Sequence, residues 1–300
     1  MTGSGQVRIA GPRPPARARR AIVVRKHRVE SRRPFPILNR STEEPTVNTL
    51  PSPASNAAKS TVTASAQLNV LISGAFNGAY QRLLPEFERT SGIKVTTGSG
   101  ASQGTGPQTI GAQLARGVLA DVVILSREGL DGLIASNRIA AGTDVDLGRV
   151  RLGLAVRAMA AKPDLGTVEA FKQVLLKAKT VAVPGSTSGI WLMTELFPRL
   201  GIAEKINVKV TPRGADAAGM VAAGEADLAV MPVSEIVHAP GVDFAGTIAP
   251  EIQQIQLLSA AAVAGSKQIE GARRLIEFLA SSRASEAIKN SGIEPIATRR

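Results

Sequence analysis

From residue 67 onward, short apolar runs alternate with stretches of helical period, and that alternation confines the chain to α/β layers. Residues 68–72, Leu-Asn-Val-Leu-Ile, have strand character. Ala79, Leu83 and Phe87, with Tyr80 and Leu84, then fall on one helix face at i, i+4 spacing. Gly92 stands where a left-handed glycine stops a helix. Further strands are expected at 93–97, 122–125, 152–156, 180–183, 207–210, 228–231 and 257–264. Helices are expected at about 167–177 and 214–223. Leu192, Met193, Leu196 and Phe197 face one way on another helix, and Leu275, Ile276 and Leu279 line a last one. Strand–helix alternation predicts mostly parallel sheets flanked by helices.

One pattern occurs twice. Gly117-Val118-Leu119-Ala120-Asp121-Val122 is echoed by Gly224-Glu225-Ala226-Asp227-Leu228 with one residue fewer. Each ends a helix at glycine and enters a strand through Ala-Asp. This is either the ordinary grammar of an α/β chain or the mark of two similar lobes, each with its own sheet.

The charge is concentrated at one end. Of 36 Lys and Arg and 24 Asp and Glu, residues 1–66 hold 12 and 3, so the body is nearly neutral. That speaks against a nucleic-acid-binding body, which needs a basic stripe on its folded surface. Low hydrophobicity and high charge predict that 1–66 is a disordered basic tail. Within it, Ser31-Arg32-Arg33-Pro34-Phe35 resembles a twin-arginine motif and Ala64-Ser65-Ala66 a small-residue cleavage site. The apolar segment that an intact signal peptide carries between such features is absent from 1–66. With no cysteine and two histidines, the sequence offers no disulfide, thiolate metal site, Cys nucleophile or His-rich metal site. No cofactor is expected.

Two loops stand out. Gly98-Ser99-Gly100-Ala101-Ser102-Gln103-Gly104-Thr105-Gly106 follows a strand, and Pro184-Gly185-Ser186-Thr187-Ser188-Gly189 follows another and opens a helix. Small hydroxyls and free backbone N–H groups at a helix N-terminus suit an anion; they equally suit a capped flexible loop. Ligands in open α/β sheets bind beyond the carboxyl ends of strands, where both loops must lie. Gly100-Ala101-Ser102-Gln103-Gly104 also fits the G-x-S-x-G nucleophile pattern, with His238 the only downstream histidine, so a serine hydrolase using Ser102 is a third reading. Arg213 and Arg127 each follow a strand and could pair with an anion. Trp191 flanks the second loop.

These pieces together resemble the periplasmic solute-binding proteins of ABC transporters, in the molybdate-binding branch. The resemblance covers residues 68–298. It rests on Val70-Leu71-Ile72-Ser73-Gly74-Ala75-Phe76, the loop 98–104, Leu114-Ala115-Arg116-Gly117-Val118-Leu119-Ala120-Asp121-Val122, Ser188-Gly189-Ile190-Trp191 and Gly224-Glu225-Ala226-Asp227-Leu228-Ala229-Val230. It implies a two-lobe type 2 periplasmic binding fold, with lobe 1 at 67–150 plus 252–300 and lobe 2 at 151–251. The family's first-strand hydroxyl falls on Ala75, flanked by Ser73 and Asn77. Its second falls in the loop from Ser99, at Ser102 beside Gln103. Ser188, followed by Gly189, matches a small residue of the motif, and Gly214, next to Arg213, matches a backbone donor. The family's tyrosine falls on Pro232. Ala75 and Pro232 supply no hydroxyl, so the implied ligand is a molybdate-like oxyanion or a small carboxylate.

The resemblance thus implies a monomeric, non-enzymatic, periplasmic binder of a small anion that delivers it to a membrane permease. The alternative is a cytosolic ligand-sensing domain of the same fold. A chain beginning at Gln67 should melt within about 2 °C of the full chain, because a disordered tail buries almost nothing. Differential scanning calorimetry checks this, and a drop of about ten degrees would show that the tail packs on the body.

Overall fold

The computed structural model of the chain describes residues 67–296. The expectations for 1–66 lie outside these residues. β1 (Gln67–Ile72), α1 (Gly74–Ser91), β2 (Lys94–Ser99), α2 (Ile110–Ala115), β3 (Val122–Ser126) and α3 (Arg127–Ala135) come first. They are followed by β4 (Val145–Arg157), α4 (Val168–Lys177), β5 (Val181–Pro184) and α5 (Thr187–Trp191). A π-helical segment, Leu192–Leu196, continues α5 into α6 (Phe197–Arg199). Then come β6 (Val208–Thr211), α7 (Gly214–Ala223), β7 (Leu228–Pro232), β8 (Val242–Thr247), β9 (Ile255–Ala262), α8 (Ile269–Leu279), α9 (Ser285–Lys289) and β10 (Glu294–Pro295).

β2, β1 and β3 pair in parallel, in that order, and β9 continues the sheet antiparallel to β3. In the second half β6, β5 and β7 repeat the parallel triplet, and β4 follows antiparallel to β7. β4 joins the two. From Val145 to Arg151 it pairs with β9, and from Leu152 to Val156 with β7. Where β4 changes partners, Gln253 clamps it. Its Oε1 accepts the Leu152 N–H at 2.7 Å, and its Nε2 donates to the carbonyls of Leu152 (3.0 Å) and Ile248 (3.2 Å).

Each sheet is covered on both faces. α1 buries Ala75, Phe76, Ala79, Tyr80, Leu83 and Phe87 against the first sheet. Burial of each large side chain contributes roughly 1.5–3 kcal/mol. The Tyr80 hydroxyl meets Thr97 Oγ1 at 2.9 Å, so the buried phenol keeps a partner. Gly92 ends α1 at φ 71°, as its sequence position predicts. The opposite face packs Leu71, Ile110, Leu125 and Leu130. In the second lobe, Phe171, Leu192 and Phe197 cover one face, while Ala217, Val221 and Ile236 cover the other.

The repeated Ala-Asp pattern has a shared physical role. The carboxylate of Asp121 accepts the Asn69 N–H at 2.8 Å, at the start of β1, while its own N–H donates to Asn69 O. Asp227 accepts the N–H groups of Lys179 (2.6 Å) and Thr180 (3.0 Å), just before β5, and donates to Thr180 O. Each aspartate thus locks the first strand of its parallel triplet to the third, and Gly117 and Gly224 take φ 82° and 78° to release it from the preceding helix.

Three details depart from the periodicity. β4 begins at Val145 rather than near 152, because its first half alternates buried and exposed residues instead of running apolar. Met193 is 40% exposed, since the π-helical segment turns it away from Leu192, Leu196 and Phe197. β8 carries too little apolar sequence to announce itself, and its pairing with β4 shifts register between Leu154 and Ala155. Among the described residues no helix is long and apolar enough to cross a membrane.

Asp121→Ala should destabilise the protein by about 2–3 kcal/mol, because it strips acceptors from the Asn69 N–H and from Ser266 Oγ in a nearly closed site. Urea unfolding checks this; a loss under about 0.5 kcal/mol would mean that the strand start does not depend on the carboxylate.

Candidate functional site

The two sheets end at a shared cleft, a cavity of about 160 Å³. Strand ends and helix starts from both lobes form its wall. From the first lobe come Ser73, Gly74, Ala75 and Asn77 at the start of α1, then Ser99 to Ser102, Ser126, Gln256 and Leu258. From the second come Ser186 to Ser188, then Arg213 and Gly214 at the start of α7, and Pro232. One further side chain, Glu235, reaches the cleft from the turn of helix Val233–Glu235 that follows β7.

The lobes touch across one side of the cleft. Ser126 Oγ and Thr187 Oγ1 are 2.8 Å apart, and Gln103 N–H donates to Ser186 Oγ at 3.2 Å. Gly104, at φ 116°, passes so near Gly185 that a Cβ would lie 2.9 Å from its carbonyl oxygen. Ser102 Oγ faces the cleft and accepts the Ser126 N–H at 3.0 Å.

Two buried polar atoms at the cleft have no hydrogen-bond partner among the described residues: Ser73 Oγ and Gln256 Nε2. An unpaired buried donor costs about 1–3 kcal/mol, so a hydroxyl and an amide N–H left this way are suited to a ligand oxygen. Ser73 is the residue that opens α1, where backbone N–H groups and the helix dipole favour negative charge. The start of α7 adds the same influence from the second lobe. Arg213 supplies a guanidinium, held at the rim by Asp216 through contacts of 3.1 and 2.8 Å. That hydrogen bond holds the Asp216 carboxyl below the usual carboxylate range.

Glu235 is the other charged side chain of the cleft. Its carboxylate is wedged between the first residues of two helices, one from each lobe. A Cβ on Gly74 would sit 2.4 Å from Oε2, and one on Gly214 would sit 2.0 Å from it. Glycine at both positions is what admits the carboxylate. No hydrogen bond or ion pair to it is formed among the described residues. Burial therefore pushes its pKa up to about 7.

Of the residues singled out in the sequence, Ser73, Ala75, Asn77, Ser99, Ser102, Ser188, Arg213, Gly214 and Pro232 line the cleft. Gln103 and Gly189 do not. Gln103 joins the lobes through its backbone, and Gly189 lies so close to the Pro184 carbonyl that any side chain would collide with it. Arg127 is held outside the cleft by Asp144 (2.8 Å) and Asp146. Trp191 packs against the second core. The hydrolase reading fails on geometry: the His238 ring bonds to Asn290 O at 2.8 Å, away from the cleft, and Ser102 has no imidazole partner. Sequence reasoning missed Glu235, Gln256 and Ser126, while Thr187 lay in a loop it had singled out without being named as a site residue. The one available signal was an acid directly after a buried strand end, among Val233, Ile236 and Val237. Among the described residues no group of three or more acids or histidines could hold a metal.

Residues 68–294 match the family described as bacterial extracellular solute-binding proteins. The chain belongs to that family. Solved structures agree on its fold. The periplasmic molybdate-binding protein of Azotobacter vinelandii aligns with a TM-score of 0.59 at 18% identity, covering 77% of this chain and 100% of the other. The sulfate-binding protein SubI of Mycobacterium tuberculosis aligns with a TM-score of 0.63 at 19% identity, covering 77% and 87%. A curated relative from a Pseudomonas species is 40% identical over 230 residues, 76% of this solute-binding protein and 88% of the relative, and is named aconitate isomerase. That relative overturns the expectation that the chain is not an enzyme. That expectation rested on motifs of a binding scaffold, and Glu235, a carboxyl buried at the cleft, lay outside them.

The raised pKa of Glu235 has a stability consequence. Ionisation is harder in the folded protein than in the unfolded chain, so the contribution is fully present below about pH 4.5 and is lost as pH rises through about 7. Glu235→Gln should therefore match wild type near pH 4.5 and exceed it at pH 8 by on the order of 1–3 kcal/mol. Thermal melts at the two pH values check this; an equal difference at both would mean that the carboxyl is not desolvated.

Proposed function

We propose that this solute-binding protein isomerises an unsaturated polycarboxylate of the aconitate type in its interlobe cleft. The observation that carries this reading is the 40% identity to an aconitate isomerase over most of both chains. The cleft is consistent with it. A compact tricarboxylate needs several oxygen-directed donors, and these are available at Ser73 Oγ, Gln256 Nε2, the starts of α1 and α7, and Arg213. The cavity is of the right order for a six-carbon skeleton. Ala75 and Pro232 line it without hydroxyls, which favours a carboxylate over molybdate.

The family match supports a second reading, periplasmic capture of the carboxylate and its delivery to an ABC transporter permease. The two readings differ in turnover. Proton NMR of trans-aconitate incubated with the purified protein should show conversion to the cis isomer, and the reverse from cis-aconitate. Binding by calorimetry without conversion would overturn the isomerase reading in favour of capture and delivery.

A further inference from the structure

We propose that Glu235 is the catalytic residue that carries the proton between the two ends of the allylic system during isomerisation. This rests on the isomerase reading above. A carbon–carbon double bond does not rotate on its own, so its geometry changes either through addition of a nucleophile or through migration of the bond. Addition by a thiolate is closed to a chain without cysteine. Ser102 and Thr187 are hydroxyls without a histidine partner. Bond migration needs one group that accepts a proton from carbon and returns it. Arg213 stays protonated and cannot serve as the base. Among the described residues lining the cleft, Glu235 is the side chain able to do so near neutral pH.

The step balances within the substrate. A Glu235 carboxylate oxygen takes a proton from the methylene carbon. The electron pair of that C–H bond forms the new double bond to the central carbon. The old π pair moves onto the former vinylic carbon and its carboxylate. The protonated Glu235 then delivers the proton to that carbon, which becomes the new methylene. Nothing is gained or lost, and no oxidant or co-reactant is needed. The conformation held about the new double bond decides which isomer leaves.

The surroundings of Glu235 suit this role. Its oxygen abuts Gly74 and Gly214, at the positive ends of α1 and α7, so charge building up on the substrate carboxylate forms beside both. The ionisable neighbours are few. On α7, Arg213 is paired with Asp216. The first turn of α1 carries no acid, and Asn77 is its polar side chain at the cleft. On β4, Arg149 and Arg151 line a separate hollow with Val233 and Glu294. His238, beyond the turn, bonds to Asn290 O. Among the described residues no cation pairs with the carboxylate and no hydrogen bond is donated to it, which leaves a base tuned close to neutrality.

The test compares wild type, Glu235→Gln and Glu235→Asp with trans-aconitate as probe. Calorimetry measures binding, and proton NMR in H2O and in D2O measures isomerisation and exchange of the methylene hydrogens. Glu235→Gln should bind within about tenfold of wild type while kcat falls by about 10²–10⁴. Glu235→Asp should retain intermediate turnover. Wild-type kcat/KM should rise with a midpoint near pH 7, and the residual rate of Glu235→Gln should be flat there. Glu235→Gln turning over within threefold of wild type would overturn the proposal, as would an unchanged pH profile. If wild type itself converts no aconitate, the isomerase reading fails, and the exchange arm judges Glu235 alone. Deuterium entering bound aconitate in wild type but not in Glu235→Gln would still support it, and no exchange in either would overturn it.

Discussion

β4 is the member on which everything else hangs. One continuous strand belongs to both sheets, pairing with β9 up to Arg151 and with β7 from Leu152. The lobes are therefore not beads on a linker. Any change in their angle must be absorbed in the few residues around position 152 and in the returning segment before β9. Gln253 spans those two stretches, with three hydrogen bonds to backbone atoms of Leu152 and Ile248. A bend there can be small and well defined, because it is concentrated where the ladder changes partners.

That shared strand also sets the cleft. The parallel triplets on either side point their carboxyl ends toward each other, so helix starts from both lobes converge on one space. A ligand held there meets oppositely placed positive helix ends without a lysine being needed. The Asp121 and Asp227 locks keep each first strand in register, and α1 and α5 follow directly from those strands. Errors at the far ends of the sheets would thus be felt at the cleft, along rigid strands.

Much of the fold was readable in the sequence, and the reasons are local. The strands at 68–72, 122–125 and 228–231 are apolar on both faces, and the helix ended by Gly92 has a clean four-residue spacing. β8 and the first half of β4 were not readable, because their burial depends on partners far along the chain. The cleft was half readable. Ser102 and Ser188 were found because glycine and small hydroxyls after a strand have a recognisable pattern, and Gly214 was reached through the family resemblance. Glu235 was not, since a single acid carries no pattern. Its meaning comes from two glycines, Gly74 and Gly214, far apart in sequence and adjacent only after folding. The non-enzymatic expectation was overturned by the 40% identical relative named aconitate isomerase; it rested on motifs of the binding scaffold, and Glu235 lay outside them.

The contact between Ser126 and Thr187 is a neutral hydroxyl pair, and the neighbouring one, from Gln103 to Ser186, is also uncharged. Such bonds contribute about 0.5–1.5 kcal/mol each, so together they bias the shut arrangement by roughly 5- to 150-fold. A door this light is reopened by thermal motion. Because the contact is uncharged, added salt leaves it alone, while an anionic ligand would feel ionic strength directly. Ionic strength would therefore act on the arrival and departure of such a ligand, and not on the contact that closes the lobes over it.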